Sequence, residues 1–186
     1  MNVLRASISF SLAIIDFANS HTKQISVIKE GSAQRIHVCG RQCERGTLVA
    51  VRAVDAHSDP KQCSFTVNFL TKGARTAVGF MSKGISREYM QVDPIGEEFV
   101  SFGGAGFLHP METRARVGYR EGDRVSCAVD FQAQKVRFCV NGALVGEAPW
   151  TSPEAFAAIS IDRSDSQVDS DLLVTLGCHD DADSRT

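Results

Sequence analysis

Apolar and polar residues alternate along much of this chain. In one stretch, Phe65, Val67 and Phe69 are separated by the polar residues Thr66 and Asn68. A period of two is typical of a β-strand with one buried face, whereas an amphipathic helix repeats every ~3.6 residues. This alternation, together with short runs of mainly apolar residues, predicts strands at residues 24–28, 35–39, 47–54, 63–70, 76–81, 98–102, 124–131, 135–141, 156–161 and 171–177.

Residues that favour turns separate these segments, at 57–60, 103–106, 121–123 and 141–142. Asn141-Gly142 is the most specific signal, because a two-residue hairpin turn needs positive φ at both positions and this pair adopts it at little cost. Ser152, Pro153 and Glu154 indicate one short helical turn. Many short strands without intervening helices exclude a parallel α/β architecture and predict an all-β sandwich or barrel.

The N-terminal residues support two interpretations. Apolar residues at positions 8, 10, 12 and 14 alternate with small or polar ones, which favours a strand. The alternative is a targeting segment, because residues 1–15 contain Arg5, several serines and no acid. The stretch is too short to span a membrane, and Asp16 interrupts it. We expect an N-terminal strand or extension over 1–23, a β-sandwich domain over 24–178 and a disordered acidic tail over 179–186.

Composition narrows the class of protein. The chain has 186 residues, of which 43% are hydrophobic and 23% charged, as in a globular protein that folds alone. Its net charge of −2 provides no positive field for a phosphate backbone, so we expect no nucleic-acid partner. Its 6 cysteines are expected to be reduced thiols, because a chain of this length needs no disulfides. We therefore expect a monomer in the cytoplasm, with the mitochondrion as the alternative if residues 1–15 are a targeting segment.

Residues 119–131 and 135–146 resemble the signature half of the SPRY domain family. In that family a Gly-Asp turn leads into a strand ending at Asp, and a second strand with an inward Phe ends at an Asn-Gly turn. Here these are Gly122-Asp123, Asp130, Phe138 and Asn141-Gly142, in that order. The resemblance extends over about 24–177. Two departures, Ser64-Phe65-Thr66 in place of an aromatic-plus-Glu opening and Phe102 in place of Tyr, mean that partners of particular subgroups are not inherited.

The resemblance implies a two-sheet antiparallel β-sandwich of the SPRY or concanavalin-like jelly-roll type that binds a protein or peptide through loops at one end. By position, it points to loops 40–46, 82–92 and 162–169. Arginine and tyrosine are frequent anchors of interfaces, and among the candidates Tyr89 and Arg45 stand first. The candidate partner-binding residues are Arg41, Glu44, Arg45, Arg87, Tyr89, Asp162 and Arg163.

Catalytic, metal and cofactor chemistry has weaker support. A zinc site could draw on His37, Cys39, Cys43, His57 and Cys63, but no second tight ligand pair follows Cys39 and Cys43. Gly103, Gly104 and Gly106 lack the later glycine and the helix of a dinucleotide-binding loop, so a turn is the better interpretation. His109 and Glu112 could act as acid and base, but nothing orients them. We expect no enzymatic activity, no cofactor and no metal.

Two alternative functions remain open at this point. One is a lectin, because sandwiches of this general topology also hold sugars. The other is a metal-dependent hydrolase built on the cysteines and histidines. Trp150 bears on the first, since it could be an exposed anchor or a buried lid over one end of the sandwich, and burial is the commoner state of a lone tryptophan.

Overall fold

The computed structural model describes residues 12–16, 25–30, 33–38, 45–50, 53–59, 63–72, 75–82, 99–111, 113–115, 117–162 and 170–176. These residues form fifteen β-strands and no α-helix. The strands are β1 (Leu12–Asp16), β2 (Ile25–Glu30), β3 (Ala33–Val38), β4 (Arg45–Ala50), β5 (Val54–Asp55), β6 (Ser64–Thr71), β7 (Arg75–Met81), β8 (Phe99–Gly103), β9 (Phe107–His109), β10 (Thr113–Arg114), β11 (Arg124–Asp130), β12 (Lys135–Val140), β13 (Ala143–Pro149), β14 (Glu154–Asp162) and β15 (Ser170–Leu176).

The strands build two antiparallel sheets that do not close into a barrel. The eight-stranded sheet has the order β1-β4-β14-β7-β8-β9-β10, with β5 paired to β14 beside this path. The seven-stranded sheet has the order β13-β12-β11-β6-β15-β3-β2. The predicted two-sheet antiparallel β-sandwich is confirmed.

The inner faces of the two sheets meet in one apolar core. Phe65 and Phe80 come from opposite sheets and contact edge to face, with ring centroids 5.3 Å apart. Phe102 and Phe138 make a second contact between the sheets at 5.8 Å. Each of these four side chains is at most 1% exposed. Aromatic pairs add about 0.5–1.5 kcal/mol beyond the area that they bury, so these contacts hold the two layers together.

The outer faces of the two sheets differ. On the seven-stranded sheet the outer face is polar, where Arg35 Nε donates to Asp171 Oδ1 at 3.0 Å and Arg137 Nε donates to Glu147 Oε1 at 3.0 Å. On the eight-stranded sheet the outer face carries a second apolar cluster, formed by Met81, Phe99 and Ala158. Strands β7, β8 and β14 are therefore apolar on both faces, which is why their sequences contain long apolar runs instead of strict alternation.

The hairpin predicted at Asn141-Gly142 is confirmed. Asn141 has φ of 51° and Gly142 has φ of 83°, and the turn joins β12 to β13. The helical turn predicted at 152–154 is wrong, because Glu154 already pairs with Asp55 as the first residue of β14. The short strands β9 and β10 were not predicted. The strand predicted at the N-terminus is present as β1, which pairs with β4, while residues 1–11 lie outside the described residues.

Tyr119 links the two sheets at one end of the core. Its ring stacks on Phe69 with centroids 4.6 Å apart and tilts against Phe102 at 5.3 Å. Its hydroxyl donates to the Thr76 carbonyl oxygen at 2.7 Å. Burial raises the pKa of Tyr119 well above its usual value, because the phenolate would be charged inside the core.

We predict that Phe138→Ala lowers the free energy of unfolding by about 3–5 kcal/mol, because the side chain fills the contact between the sheets and its loss leaves a cavity. Urea unfolding followed by the fluorescence of Trp150, the one tryptophan of the chain, measures the change. Leu144→Ala is the control: Leu144 is 50% exposed, and its truncation should change stability by less than about 0.5 kcal/mol. Equal losses for the two variants would contradict the proposed core.

We also predict that Tyr119 makes stability fall at alkaline pH. The folded pKa of Tyr119 lies above the unfolded value of about 10, so its contribution is complete below about pH 10 and is lost as pH rises toward the folded pKa. Tyr119→Phe should cost about 1 kcal/mol at neutral pH through the lost hydrogen bond and should make the alkaline decline shallower. Thermal unfolding between pH 7 and 11 tests this, and parallel pH profiles for the two proteins would contradict it.

Candidate functional site

Three connections between the sheets lie at the same end of the sandwich. They join β3 to β4, β6 to β7 and β14 to β15. We call this the Asp162 end, defined by the strand termini Val38, Arg45, Thr71, Arg75, Asp162 and Ser170. We call the opposite one the Trp150 end, defined by Asp55, Ser64, Met81, Pro149 and Glu154.

Strand register brings two of the predicted loops together at the Asp162 end. Arg45 begins β4 and is the register partner of Asp162, the last residue of β14. Neighbouring strands lie about 4.8 Å apart, so the two loops leave the sheet side by side. Arg45 and Asp162 themselves belong to strands, so the loops predicted at 40–46 and 162–169 are shorter than expected. The candidates Arg41, Glu44 and Arg163 lie outside the described residues.

The third predicted loop, 82–92, is anchored at the opposite end. It follows Met81 at the end of β7, and Met81 pairs with Phe99 at the start of β8. The first and last residues of β7 are six steps of about 3.3 Å apart, so these anchors lie about 20 Å from the start of the strand at the Asp162 end. Arg87 and Tyr89 lie outside the described residues. That Arg87 and Tyr89 lie close to Arg45 stays a prediction, because the strands place the anchors of their loop at the opposite end of the sandwich.

Two turns at the Asp162 end are joined by side-chain hydrogen bonds. Asn141 Nδ2 donates to Asp123 Oδ1 at 2.8 Å, and the Arg120 backbone N–H donates to Asp123 Oδ2 at 2.8 Å. These donors lower the pKa of Asp123. The Gly122 N–H donates to the Phe69 carbonyl at 2.8 Å, which ties the turn to β6. Of the residues that carried the sequence resemblance, those of the two turns thus form one hydrogen-bonded corner, whereas Asp130 lies at the Trp150 end and Phe138 in the core.

Lys72 was not among the predicted site residues, yet it occupies a distinctive place at this end. It follows β6, and its ammonium lies 5.8 Å from the centroid of the Tyr119 ring. A Cβ added to Gly104 would lie 2.8 Å from Lys72 Cε and 2.9 Å from Nζ, so the absent side chain of Gly104 makes room for the lysine head. Burial lowers the pKa of Lys72. Only the position of this lysine after a strand could have drawn attention to it in the sequence.

The glycine-rich segment is a turn, as predicted. The Gly106 N–H donates to the Gly103 carbonyl at 2.8 Å, and the Gly104 N–H donates to the Thr76 carbonyl at 3.0 Å. The Tyr119 N–H donates to the Gly104 carbonyl at 3.1 Å, so this amide is also occupied. These amides cannot form a cradle of free N–H groups around a phosphate.

Trp150 is buried at the Trp150 end, as predicted for a lid over the sandwich. It is 3% exposed, and its ring lies 6.3 Å from that of Phe80. Its backbone N–H donates to the Gln134 carbonyl, whereas its indole Nε1 has no hydrogen-bond partner among the described residues. The indole therefore offers no exposed face on which a sugar or a peptide side chain could stack.

A cleft of about 600 Å³ lies between the Asp55 turn and the β11–β12 hairpin, near the Trp150 end. Its polar groups are engaged locally. Asp55 Oδ1 accepts hydrogen bonds from the His57 N–H and the Ser58 hydroxyl, and Asp130 Oδ1 accepts one from the Ala133 N–H. Burial raises the pKa of the Cys63 thiol, which keeps it protonated and a poor nucleophile. The Cys63 thiol is therefore not an activated nucleophile of the kind that covalent catalysis needs.

Three of the possible zinc ligands are described. His37 pairs with Asp171 in register on the seven-stranded sheet, whereas His57 and Cys63 both lie at the Asp55 turn. Cys39, Cys43 and Glu112 fall outside the described residues. Among the residues that are described, no three His, Cys, Asp or Glu side chains are grouped closely enough to hold a metal ion. Cys63, Cys127 and Cys139 are free thiols, as predicted for them.

No helix within the described ranges is long and apolar enough to cross a lipid bilayer.

Comparison with known proteins supports the fold and leaves the family open. No family model and no curated protein sequence matches the chain. Among solved structures, the chain is similar to the SPRY domain of human HERC1, with a TM-score of 0.57 and 14% identity over 85% of this chain and 96% of that one. It is also similar to stonustoxin, with a TM-score of 0.54 and 9% identity over 90% of this chain but only 26% of that protein. At these identities the similarity is one of fold, and the chain shares the β-sandwich architecture of the HERC1 SPRY domain.

Proposed function

We propose that this protein is a binding module, not an enzyme, and that it captures a peptide or an exposed loop of a partner protein at the Asp162 end. The observation that carries the proposal is the convergence there of connections between the two sheets. Arg45 and Asp162 are register partners, so two of these connections start from adjacent backbone positions. Loops on a rigid sandwich can vary without loss of core packing, and binding residues are commonly found on such loops.

The rigidity of the surrounding corner supports the proposal. The hydrogen bonds of Asp123 and Asn141 fix two turns at this end, and the buried Tyr119 fixes a third segment. A largely preformed surface loses little conformational entropy when a partner binds. The similarity of fold to a SPRY domain agrees with an interaction role, because that fold commonly mediates contacts between proteins.

A lectin is the alternative function, and the environment of the tryptophan does not favour it. A sugar site of the kind considered would use Trp150 as a stacking platform beside polar side chains. Trp150 is the one tryptophan of the chain and is 3% exposed. The peptide-binding function is therefore the better supported of the two.

The proposal extends to the setting in which the module acts. Free thiols persist in a reducing compartment, and the three cysteines among the described residues are free. We propose that the chain acts in the cytoplasm, as a monomeric adaptor that needs neither metal nor cofactor.

The test is affinity capture with quantitative mass spectrometry, comparing the wild type with Arg45→Glu/Arg163→Glu. Reversing two charges at the Asp162 end should reduce recovery of specific partners by at least about tenfold, the loss typical of disrupted interface anchors. A second double variant, Arg87→Ala/Tyr89→Ala, shows whether the segment anchored at the Trp150 end contributes to the same surface.

Lys29→Glu is the control. Lys29 is an exposed residue of β2, and it pairs with Gln34 at the end of that strand away from the Asp162 end. It changes the net charge in the same direction without touching the Asp162 end, and capture should be retained. Recovery of the same partners by the wild type and by both site variants would refute the proposed surface, provided that all variants keep the wild-type unfolding temperature.

A further inference from the structure

The strongest unused feature of the Asp162 end is the ammonium group of Lys72. Lys72 is half-buried, and within the described part of the chain its Nζ has no carboxylate partner. Its backbone N–H lies 3.5 Å from Glu121 Oε2, but the side chain points instead at Gly104 and the Tyr119 ring. A cation that is partly removed from water without an anionic partner is energetically unfavourable.

The contact with Tyr119 does not satisfy this group. A distance of 5.8 Å to the ring centroid is near the outer limit of about 6 Å for a cation–π interaction. The ammonium also has three N–H donors, and a ring face replaces none of the hydrogen bonds that water would make. The structure therefore holds a positioned donor group that has no acceptor among the described residues, and a ligand carboxylate can supply one.

The chemistry around Lys72 favours a carboxylate over a phosphate. The neighbouring amides of Gly104, Gly106 and Tyr119 already donate to carbonyl oxygens. A dianionic phosphate is usually held by several donors, such as free backbone N–H groups or the fork of an arginine. The single ammonium group beside Gly104 and Tyr119 instead suits a ligand group with one negative charge, such as a carboxylate, whose oxygen can accept its hydrogen bond.

We propose that Lys72 selects partners with an aspartate or glutamate, whose carboxylate contacts the Lys72 ammonium that lies above Gly104 and beside Tyr119. The proposal rests on the proposed function, because it names the chemistry of the partner at that same end. The acid contacts Nζ directly, while the rest of the partner segment extends over the adjoining connections. Gly104 determines the specificity by leaving space for the lysine head.

The experiment is selection of peptides from a random dodecamer library displayed on phage, carried out in parallel on four proteins. These are the wild type, Lys72→Met, Gly104→Ala and the control Lys29→Met. Methionine keeps the apolar length of lysine and removes its charge. Gly104→Ala keeps the charge but displaces the flexible end of Lys72, since the added Cβ would lie within 3 Å of both Cε and Nζ. Lys29→Met removes one charge from an exposed residue of β2.

We expect the wild type and Lys29→Met to select peptides that share an acidic position, and Lys72→Met and Gly104→Ala to lose that preference. A synthetic peptide from the wild-type selection should bind Lys72→Met at least about tenfold more weakly, the loss of one charge-assisted hydrogen bond. Replacing its acidic residue by asparagine should have a similar effect on the wild type and little effect on Lys72→Met.

The other outcomes separate the two proposals. Selected peptides without an acidic position, or an acidic position retained by Lys72→Met, overturn the role of Lys72 and leave peptide binding intact. Tighter binding after the acidic residue is replaced by phosphoserine overturns the preference for a carboxylate. Failure of the wild type to select any peptide overturns both proposals. If Lys72→Met does not fold, the peptides selected by Gly104→Ala test the role of Lys72, and an acidic position retained by Gly104→Ala overturns it.

Discussion

The whole structure depends on aromatic side chains that close the two sheets on each other. Phe65 against Phe80 and Phe102 against Phe138 join strands that belong to different layers and that are distant in sequence. Tyr119 continues this row at the Asp162 end, where it packs on Phe69 and Phe102 and donates its hydroxyl to Thr76. Because these rings fill the interior, the strands have no freedom to adapt to a partner, and only the connections at the two ends can do so.

The two ends of the sandwich differ in how their polar groups are engaged. At the Trp150 end the polar groups of the cleft are engaged in their own turns, and the indole is enclosed. At the Asp162 end the turns are equally well ordered by Asp123 and Asn141, but a half-buried ammonium remains without an acceptor in the described residues. The unpartnered group at the Trp150 end, the indole N–H of Trp150, is enclosed in the core, whereas the Lys72 ammonium is half-exposed, and this difference supports placing the proposed ligand site at the Asp162 end.

The period of two is visible where the outer face of the seven-stranded sheet is solvated, as in β11 and β12, although β13 of that sheet was not among the predicted strands. Strands β7, β8 and β14 were found through their apolar runs, but Ser152 and Pro153 wrongly suggested a helical turn before β14, where pairing with β5 prevails over local propensity. Strands β9 and β10 have three and two residues, too few to show a period. The pairing of Arg45 with Asp162 and the position of Lys72 beside Gly104 depend on register and on contacts between distant segments, which a local pattern does not contain.

The ion pairs on the outer face of the seven-stranded sheet have a consequence for association between copies of the chain. Strand β13 is an edge of that sheet, and its unpaired backbone groups are a potential template for a strand from another molecule. Glu147 on this edge is ion-paired with Lys135 and Arg137 of the neighbouring strand, and Pro149 at its end has no N–H to donate. Charged side chains and a terminal proline oppose edge-to-edge pairing between copies of the chain.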